Sequence, residues 1–319
     1  MESEEVDSSM DENNRTALCF SGQGAQKVGM FKSFFDSTEG VKEIFDVASY
    51  VCGFDVAKVC FEGPEEQLNQ TIYTQPCVLA CDIAAGEALG KRGFEFDYVA
   101  GFSLGEYAAL YLAGCITLED VFKLIRVRAL AMQEAVPLGK GAMLAVMTEN
   151  VKCIEMLCSQ QSSYVQIANY NSLSQVVVAG EIEGINAIES ELKGQGVKCT
   201  KLRVSAPFHC GLMKSAKEKL EEAFKTVSFR KPDIPIVMNL DGKAETNIET
   251  IKEKVLLQTM NAVRWVDSVV YMKKNGVNIF VECGPGNTLS KFIKNIAPEV
   301  ETVYVNNSIS LNKVLKGSI

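Results

Sequence analysis

The chain has 319 residues, of which 47% are hydrophobic and 23% are charged. This composition is typical of globular proteins, and it excludes collagen-like, coiled-coil and wholly disordered chains. The 40 acidic and 32 basic residues give a formal charge of −8, which argues against a basic surface and predicts no nucleic-acid partner.

Cysteine and histidine limit the chemistry that the chain can use. The 11 cysteines include no C-x-x-C pair, so we expect free thiols in a reducing compartment rather than a disulfide framework. His209 is the only histidine, and no cluster of residues has the spacing of metal ligands. We therefore expect no metal and no cofactor, and any imidazole chemistry must use His209.

Neither a targeting sequence nor a membrane span is expected. Residues 1–15 are acidic and predict a disordered lead-in rather than a secretory signal or a basic mitochondrial presequence. The most apolar run, Tyr107 to Leu118, is shorter than the ~20 residues that cross a bilayer. We therefore expect a soluble chain with no membrane partner, and a monomer.

Short buried strands alternate with helices in the first 138 residues. Apolar residues recur at helical spacing from Val41 to Ala48, and proline favours the first turn of a helix. The predicted elements are a strand over 17–20, a helix over 41–48, a helix opening at Gln75-Pro76, a strand over 98–100 and helices over 106–114 and 118–134.

The pattern changes in residues 139–204. The predicted elements there are strands over 142–147, 164–168, 175–179 and 197–203, with helices over 150–158 and 182–192. Their β-α-β-β-α-β order is the ferredoxin-like motif.

The alternation of strands and helices resumes after residue 204. Helices are predicted over 215–224 and 266–274, and strands over 234–239, 279–282 and 302–305. Strands separated by helices imply a parallel sheet that is covered on both faces. We therefore predict an α/β fold, with a parallel-sheet body of residues 16–138 and 205–319 and an inserted ferredoxin-like subdomain of residues 139–204.

A G-x-S-x-G sequence, Gly101-Phe102-Ser103-Leu104-Gly105, stands between a predicted strand and a predicted helix. In that context the pattern is typical of a nucleophile elbow, a sharp turn that exposes the serine hydroxyl at the carboxyl end of the sheet. The start of the following helix supplies a backbone N–H and a favourable dipole for an oxyanion. The other interpretation is a simple glycine-rich turn.

His209 follows the predicted insertion and is the only imidazole that could serve as a base for Ser103. The order of serine before histidine matches α/β-hydrolase chemistry, although a lone histidine is more often structural. No acidic residue stands out as a third member, so we expect a backbone carbonyl of residues 261–265 to orient the imidazole.

Two further features bear on anion binding. The turn over residues 22–26 lacks the G-x-G-x-x-G spacing of dinucleotide loops, but a glycine turn after a strand can present a second oxyanion N–H. Arg128 precedes the apolar run 129–132 and should face inward, where it needs an anionic partner such as a substrate carboxylate. Arg126 is expected in solvent.

Seven motifs in order make the chain resemble the malonyl-CoA:acyl-carrier-protein transacylase family over residues 18–305. Each motif is modest alone, whereas the whole series is highly specific. The resemblance implies an α/β-hydrolase-like body with an inserted ferredoxin-like subdomain, which agrees with the periodicities. The motifs are Phe20 to Gln26, Gln75-Pro76, Gly101 to Glu106, Arg128 with Met132 to Pro137, Asn169 to Ser172, Ala206 to His209 and Glu282 to Gly286.

The resemblance implies an [acyl-carrier-protein] S-malonyltransferase with a ping-pong reaction. Ser103 would take the malonyl group from malonyl-CoA, with His209 as its base and then its acid, and would pass it to the phosphopantetheine thiol of an acyl carrier protein. The pathway supplied would be fatty acid synthesis, with a polyketide route as the alternative. The other implied roles are an oxyanion hole from the backbone N–H groups of Gln23 and Leu104, a carboxylate-binding Arg128, and a substrate site lined by Gln75, Phe208 and Asn171.

Two residues depart from the bacterial pattern of this family. Phe102 precedes the serine where bacterial members usually have histidine, and phenylalanine there is similar to animal mitochondrial members. It predicts a mitochondrial location, with the cytoplasm as the alternative. Arg264 stands where bacterial members place glutamine, a change that a backbone carbonyl role would survive and a side-chain role would not.

Two other functions are considered beside the transacylase. A serine thioesterase or hydrolase could use the same pair of Ser103 and His209, but Arg128 explains a carboxylated acyl group and offers nothing to a general esterase. A non-catalytic carrier-binding protein would not need the intact pair. Acyl carrier proteins are acidic, so a docking surface should be basic; the candidates, which an ordinary solvated helix explains equally well, are Lys214, Lys217, Lys219, Lys225, Arg230 and Lys231.

Overall fold

A six-stranded, mainly parallel sheet lies at the centre of the computed structural model, which describes residues 15–204 and 206–317. The strands in chain order are β1 Arg15–Phe20, β2 Tyr98–Gly101, β3 Gly141–Met147, β4 Val165–Ser172, β5 Gln175–Glu181, β6 Cys199–Lys201, β7 Ile236–Val237, β8 Ala244–Glu245, β9 Val277–Cys283 and β10 Glu301–Val305. The central sheet has the order β10-β9-β1-β2-β7-β8, and β8 alone runs antiparallel to its neighbour.

Helices cover both faces of this sheet. They are α1 Lys32–Ser37, α2 Val41–Cys52, α3 Val56–Glu62, α4 Glu65–Leu68, α5 Thr71–Gly90, α6 Gly105–Leu112, α7 Leu118–Glu134, α8 Val151–Gln160, α9 Ile182–Gly194, α10 Lys214–Phe224, α11 Ile248–Gln258, α12 Trp265–Lys274, α13 Thr288–Ile296 and α14 Ser308–Leu315. In β1, Leu18 and Phe20 join the apolar cluster that includes α5 and α6. Ala17 and Cys19 join the cluster with α12 and α13 on the other face.

The second sheet has the order β4-β5-β3-β6 and is antiparallel throughout. With α8 and α9 it forms the predicted β-α-β-β-α-β unit, so the α/β fold with an inserted ferredoxin-like unit is confirmed. Leu144 and Val146 face α8 and α9 in one apolar cluster. Met143 faces the other way and packs with Met132 of α7 and with Phe208. The face of the small sheet that α8 and α9 leave uncovered therefore packs against α7 and the segment that contains Phe208 and His209.

Most predicted elements are present, and three predictions were wrong in their bounds. Pro76 does not open its helix, because α5 begins at Thr71 and the proline is its sixth residue. The strand predicted over 234–239 is reduced to β7, which starts directly after Pro235. The edge strand predicted over 197–203 is limited to β6, and its neighbour on the sheet is β3 alone.

Several expectations from the sequence are not tested by this structure. The lead-in over 1–15 falls on residues 1–14, which lie outside the described residues, and Arg15 already belongs to β1. The domain boundaries stay a prediction. Within the described residues, no helix is long and apolar enough to cross a membrane. The same part of the chain contains no group of three or more His, Cys, Asp or Glu that could hold a metal ion.

Candidate active site

The turn between β2 and α6 holds Ser103 in a strained conformation. Its φ of 53° lies in the left-handed region, which residues other than glycine seldom adopt. A Cβ on Gly101 would lie 1.9 Å from the carbonyl carbon of Gly105, and a Cβ on Gly105 would lie 2.3 Å from the oxygen of Phe20. The close backbone contacts require both glycines, and they produce the sharp strand-to-helix turn that a nucleophile elbow needs.

Ser103 and His209 lie within hydrogen-bond distance. His209 Nε2 is 2.6 Å from Ser103 Oγ, and His209 Nδ1 is 2.9 Å from the carbonyl oxygen of Gln258. Because a carbonyl only accepts, Nδ1 carries the proton and Nε2 accepts from the serine hydroxyl. Burial, assisted by the Arg128 guanidinium, lowers the pKa of His209 to about 3. The imidazole is therefore neutral at pH 7 and free to take a proton.

The carbonyl at 2.9 Å from His209 Nδ1 belongs to Gln258, three residues before the predicted range 261–265, so that prediction is met only in part, through Asn261. Gln258 is the last residue of α11, and the last carbonyls of a helix have no partner inside the helix. The backbone of Asn261 contributes secondarily to the pKa of His209. Nothing in the local sequence distinguishes Gln258 from an ordinary residue of a helix. Arg264 is exposed and donates from Nε to Asp267 at 2.6 Å.

Arg128 is buried, with 1% of its surface exposed, as its position before an apolar run predicted. Its Nη1 donates to Gln75 Oε1 at 2.9 Å, and its Nη2 donates to Gln258 Oε1 at 3.0 Å and to Ser103 Oγ at 3.2 Å. Its Nε has no hydrogen-bond partner among the described residues. The guanidinium is thus held by neutral oxygens and by the Tyr107 ring, whose centroid lies 5.3 Å from its central carbon, and it remains able to bind an anion. Arg126 is exposed, as expected.

The backbone N–H groups of Gln23 and Leu104 belong to two segments that meet at the elbow. Gly22 allows the first segment to approach, since a Cβ there would lie 2.8 Å from the oxygen of Phe102. Leu104 directly precedes α6. Within residues 15–204 and 206–317, neither N–H donates a hydrogen bond to the backbone or to a side chain. Free donors in the turn after β1 and at the start of α6 suit an oxyanion, and that role stays a prediction.

Phe208 and Asn171 lie on the side of the small sheet. Phe208 is 5% exposed and packs in the cluster with Met132 and Met143. Asn171 lies on β4 and donates from Nδ2 to Gln175 Oε1 at 2.7 Å, while its buried Oδ1 has no partner among the described residues. The structure gives Asn171 no direct hydrogen bond to Ser103 or His209. Its role in substrate binding stays a prediction.

Two buried polar residues beneath Ser103 were missed by the sequence analysis. Asn239 Oδ1 accepts from the Ser103 N–H at 2.7 Å. Glu106 accepts from the Asn239 N–H at 2.6 Å and from Gln258 Nε2 at 2.9 Å. Burial raises the pKa of Glu106 to about 8 against the opposing effect of these donors and of Arg128. The sequence signal for Glu106 was its place after the G-x-S-x-G pattern; Asn239 had none.

Comparison with protein families gives one match over almost the whole chain. Residues 18–313 match the family described as acyl transferase domain. Curated relatives include the malonyl CoA-acyl carrier protein transacylase of Escherichia coli strain K12, which is 37% identical over 94% of this chain and 98% of its own length. The transacylase of Bacillus subtilis strain 168 is 35% identical over 92% of this chain and 94% of its own length.

Solved structures agree with these relatives. An acyl carrier protein S-malonyltransferase from Vibrio cholerae has a TM-score of 0.91 at 38% identity, and the match covers 94% of this chain and all of that one (100%). A malonyl-transacylase solved in complex with its type II PKS acyl-carrier protein has a TM-score of 0.92 at 36% identity, with 95% of this chain and 100% of that chain covered.

Proposed function

Because the chain belongs to the malonyl-CoA:acyl-carrier-protein transacylase family, we propose that it transfers malonyl from malonyl-CoA to the phosphopantetheine thiol of an acyl carrier protein and so supplies fatty acid synthesis. The observation that carries the proposal is the meeting of three side chains. Ser103 Oγ lies 2.6 Å from His209 Nε2 and 3.2 Å from Nη2 of the buried Arg128. A base and an anion-binding group therefore both contact the nucleophile, Ser103 Oγ.

In the first half-reaction Ser103 Oγ attacks the carbonyl carbon of the malonyl thioester while its proton passes to His209 Nε2. The backbone N–H groups of Gln23 and Leu104 stabilise the negative charge that forms on the carbonyl oxygen. When the C–S bond breaks, His209 returns the proton to the leaving sulfur. The products are free CoA and a malonyl ester on Ser103.

In the second half-reaction the carrier thiol takes the place of CoA. His209 accepts the thiol proton, the sulfur attacks the ester carbon, and the C–O bond to Ser103 breaks. Ser103 recovers its proton from His209, and malonyl leaves as a thioester of the carrier. The neutral state of His209, which burial and the Arg128 charge maintain, suits it to act first as base in both halves.

Arg128 provides the selection for a carboxylated acyl group. Its guanidinium is surrounded by the neutral oxygens of Gln75, Gln258 and Ser103, and its Nε is without a partner among the described residues. A malonyl carboxylate brings the opposite charge and can accept two parallel N–H bonds. A general thioesterase has no use for such a group, so Arg128 favours the transferase.

The acidic carrier needs a basic surface, and the basic residues after His209 differ in how far they are neutralised. Lys217, Lys219 and Lys225 form ion pairs with glutamates. Lys214, Arg230 and Lys231, all exposed, have no ion pair among the described residues, which makes them the better docking candidates. A mitochondrial location and a monomeric state stay predictions; the former rests on Phe102, and the relatives named above are bacterial.

Intact-mass measurement after mixing with malonyl-CoA tests this function. The parent should gain one malonyl group on the peptide that contains Ser103, and Ser103→Ala should gain none. Malonyl-CoA consumption should stop after about one equivalent until holo acyl carrier protein is added. Labelling of Ser103→Ala would contradict the assignment of the nucleophile, and complete consumption of malonyl-CoA without a carrier would identify a hydrolase instead.

A further inference from the structure

Two buried polar side chains beneath the elbow take no part in the reaction derived above. Glu106 and Asn239 are both 0% exposed. A buried carboxyl group and a buried amide are costly unless they are fully hydrogen-bonded, so such residues require an explanation. Their hydrogen bonds lead directly to Ser103 and, through Gln258, to the other two reactive residues.

Asn239 spans the turn that carries the nucleophile. Its Oδ1 accepts from the Ser103 N–H at 2.7 Å, and its Nδ2 donates to the Gly101 carbonyl at 2.6 Å. Ser103 has a φ of 53°, a conformation that an L-residue keeps only where its surroundings impose it. The Asn239 side-chain amide thus connects the N–H of Ser103 to the carbonyl of Gly101 and fixes the orientation of the Ser103 backbone.

Glu106 holds the two amides that surround Ser103. One of its carboxyl oxygens accepts from the Asn239 N–H at 2.6 Å, and the other accepts from Gln258 Nε2 at 2.9 Å. The same Gln258 Nε2 donates to the Ser103 carbonyl at 2.8 Å. One oxygen of Glu106 therefore holds Asn239 and the other holds Gln258, and these two residues hold the backbone of Ser103.

Gln258 extends this network to the rest of the site. Its Oε1 accepts from Arg128 Nη2 at 3.0 Å, and its backbone oxygen lies 2.9 Å from His209 Nδ1. A displacement of the Gln258 side chain would therefore move the donor to the Ser103 carbonyl and the acceptor for Arg128 together. Glu106 is the one carboxyl group among the hydrogen-bond partners of that side chain in the described residues, which also include Asn239 Oδ1 at 3.3 Å.

We propose that Glu106 and Asn239 are positioning residues that hold the strained Ser103, and through Gln258 its neighbours, in the geometry that acyl transfer requires. The inference rests on the proposed function for its substrate and on the hydrogen bonds alone for its geometry. Catalytic groups must be held closely, since a misplacement of 1 Å can cost about 10²-fold in rate.

Glu106→Gln is the discriminating substitution, because it preserves shape and removes one acceptor. A glutamine has a single acceptor oxygen, so it cannot accept from both the Asn239 N–H and Gln258 Nε2. The side-chain NH₂ of the glutamine then faces either the Asn239 N–H or Gln258 Nε2, so that two donors meet and that hydrogen bond is lost. Asn239→Asp is the second variant: it keeps an acceptor for the Ser103 N–H and loses the donor to Gly101.

Glu282→Gln is the matched control. Glu282 is 1% exposed and accepts from the backbone N–H groups of Leu289 at 3.1 Å and Ser290 at 2.7 Å. The Ser290 hydroxyl also donates to it at 2.8 Å, so Glu282 is likewise a buried carboxyl that accepts from backbone and side-chain donors, but the structure gives it no hydrogen bond to Ser103, Asn239 or Gln258. Its substitution should lower Tm and leave the reactivity of Ser103 unchanged.

The readout is the rate at which a small uncharged alkyl fluorophosphonate labels Ser103 in the folded chain. In that reaction the Ser103 Oγ–P bond forms, fluoride leaves, and the serine proton passes to His209, so neither Arg128 nor malonyl-CoA is needed. We expect labelling to slow by ~10- to 100-fold in Glu106→Gln and Asn239→Asp, with kcat for malonyl transfer falling in parallel.

Unchanged labelling in both variants, with a loss of Tm like that of Glu282→Gln, would show a merely structural role and overturn the proposal. If one variant fails to fold, the other decides. Failure of the proposed function gives a different result, because a parent protein that reacts with the fluorophosphonate and takes no malonyl group refutes the substrate and leaves the positioning intact.

Discussion

Replacement of Arg128 by alanine should change the choice of acyl group. The guanidinium is 1% exposed and lies between Gln75, Gln258 and Ser103, and the substitution removes the one donor to Gln75 Oε1 among the described residues. It also opens a cavity and destabilises the fold. These costs apply whichever substrate is bound, whereas the loss of charge pairing applies only to a substrate that carries a carboxylate.

The expected magnitude follows from two charge-assisted hydrogen bonds between the guanidinium and the malonyl carboxylate. Each contributes ~1.5–3 kcal/mol, so their loss costs at least ~3 kcal/mol. At about 1.4 kcal/mol for each factor of ten, kcat/KM for malonyl-CoA should fall by roughly 10²-fold or more. Acetyl transfer should fall far less, or rise, since acetyl has no carboxylate to lose.

The assay measures kcat/KM for malonyl-CoA and for acetyl-CoA in each variant and compares their ratio. The ratio cancels changes that affect both substrates, such as partial unfolding or a displaced Ser103. Arg128→Lys should restore the ratio only in part, because lysine keeps the charge without the planar fork. Arg126→Ala is the control, since Arg126 lies on the same helix and is exposed.

One result would refute this reasoning. If Arg128→Ala lowers both kcat/KM values and leaves the ratio of malonyl to acetyl as in the parent, then Arg128 supports the site and does not bind the carboxylate. A change in the ratio for Arg126→Ala of similar size would also remove the argument, because that exposed side chain donates to the Val51 carbonyl at 3.1 Å and the structure gives it no hydrogen bond to Ser103, Gln75 or Gln258.

Two predictions concern His209. His209→Ala should slow acylation of Ser103 by ~10²–10⁴-fold in stopped-flow measurements, with an unchanged circular dichroism spectrum, and near-normal acylation would mean that another group takes the proton. Because the pKa of His209 is lowered to about 3, the unfolded chain binds a proton below pH 6.5 that the folded chain does not, so stability falls as pH falls. Between pH 7 and 5 the parent should lose ~2 kcal/mol more of its unfolding free energy in urea than His209→Ala does, and equal losses would contradict the lowered pKa.

Local patterns were enough to predict the layout of the fold. The order of strands and helices follows from hydrophobic periodicity, which depends on neighbours a few residues apart. The turn over 101–105 follows from backbone sterics, because no side chain fits at Gly101 or Gly105. The inward position of Arg128 follows from the apolar residues beside it on α7. The start of α5 was placed at Gln75-Pro76 because proline favours the first turn of a helix, whereas Pro76 is the sixth residue of α5.

The sequence by itself therefore determined which segments form strands and helices, where the chain turns sharply at Ser103, and which arginine is buried. Only the tertiary structure decided what these residues touch. Asn239 and Gln258 lie 136 and 155 residues away from Ser103 in the chain. The carbonyl at His209 Nδ1 belongs to Gln258 at the end of α11, a few residues before the range 261–265 that the sequence predicted. A hydrogen bond over such a separation leaves no periodic trace in a single sequence. It exists only because packing of the sheet and its helices brings the end of α11 and the second residue after β7 beneath the elbow.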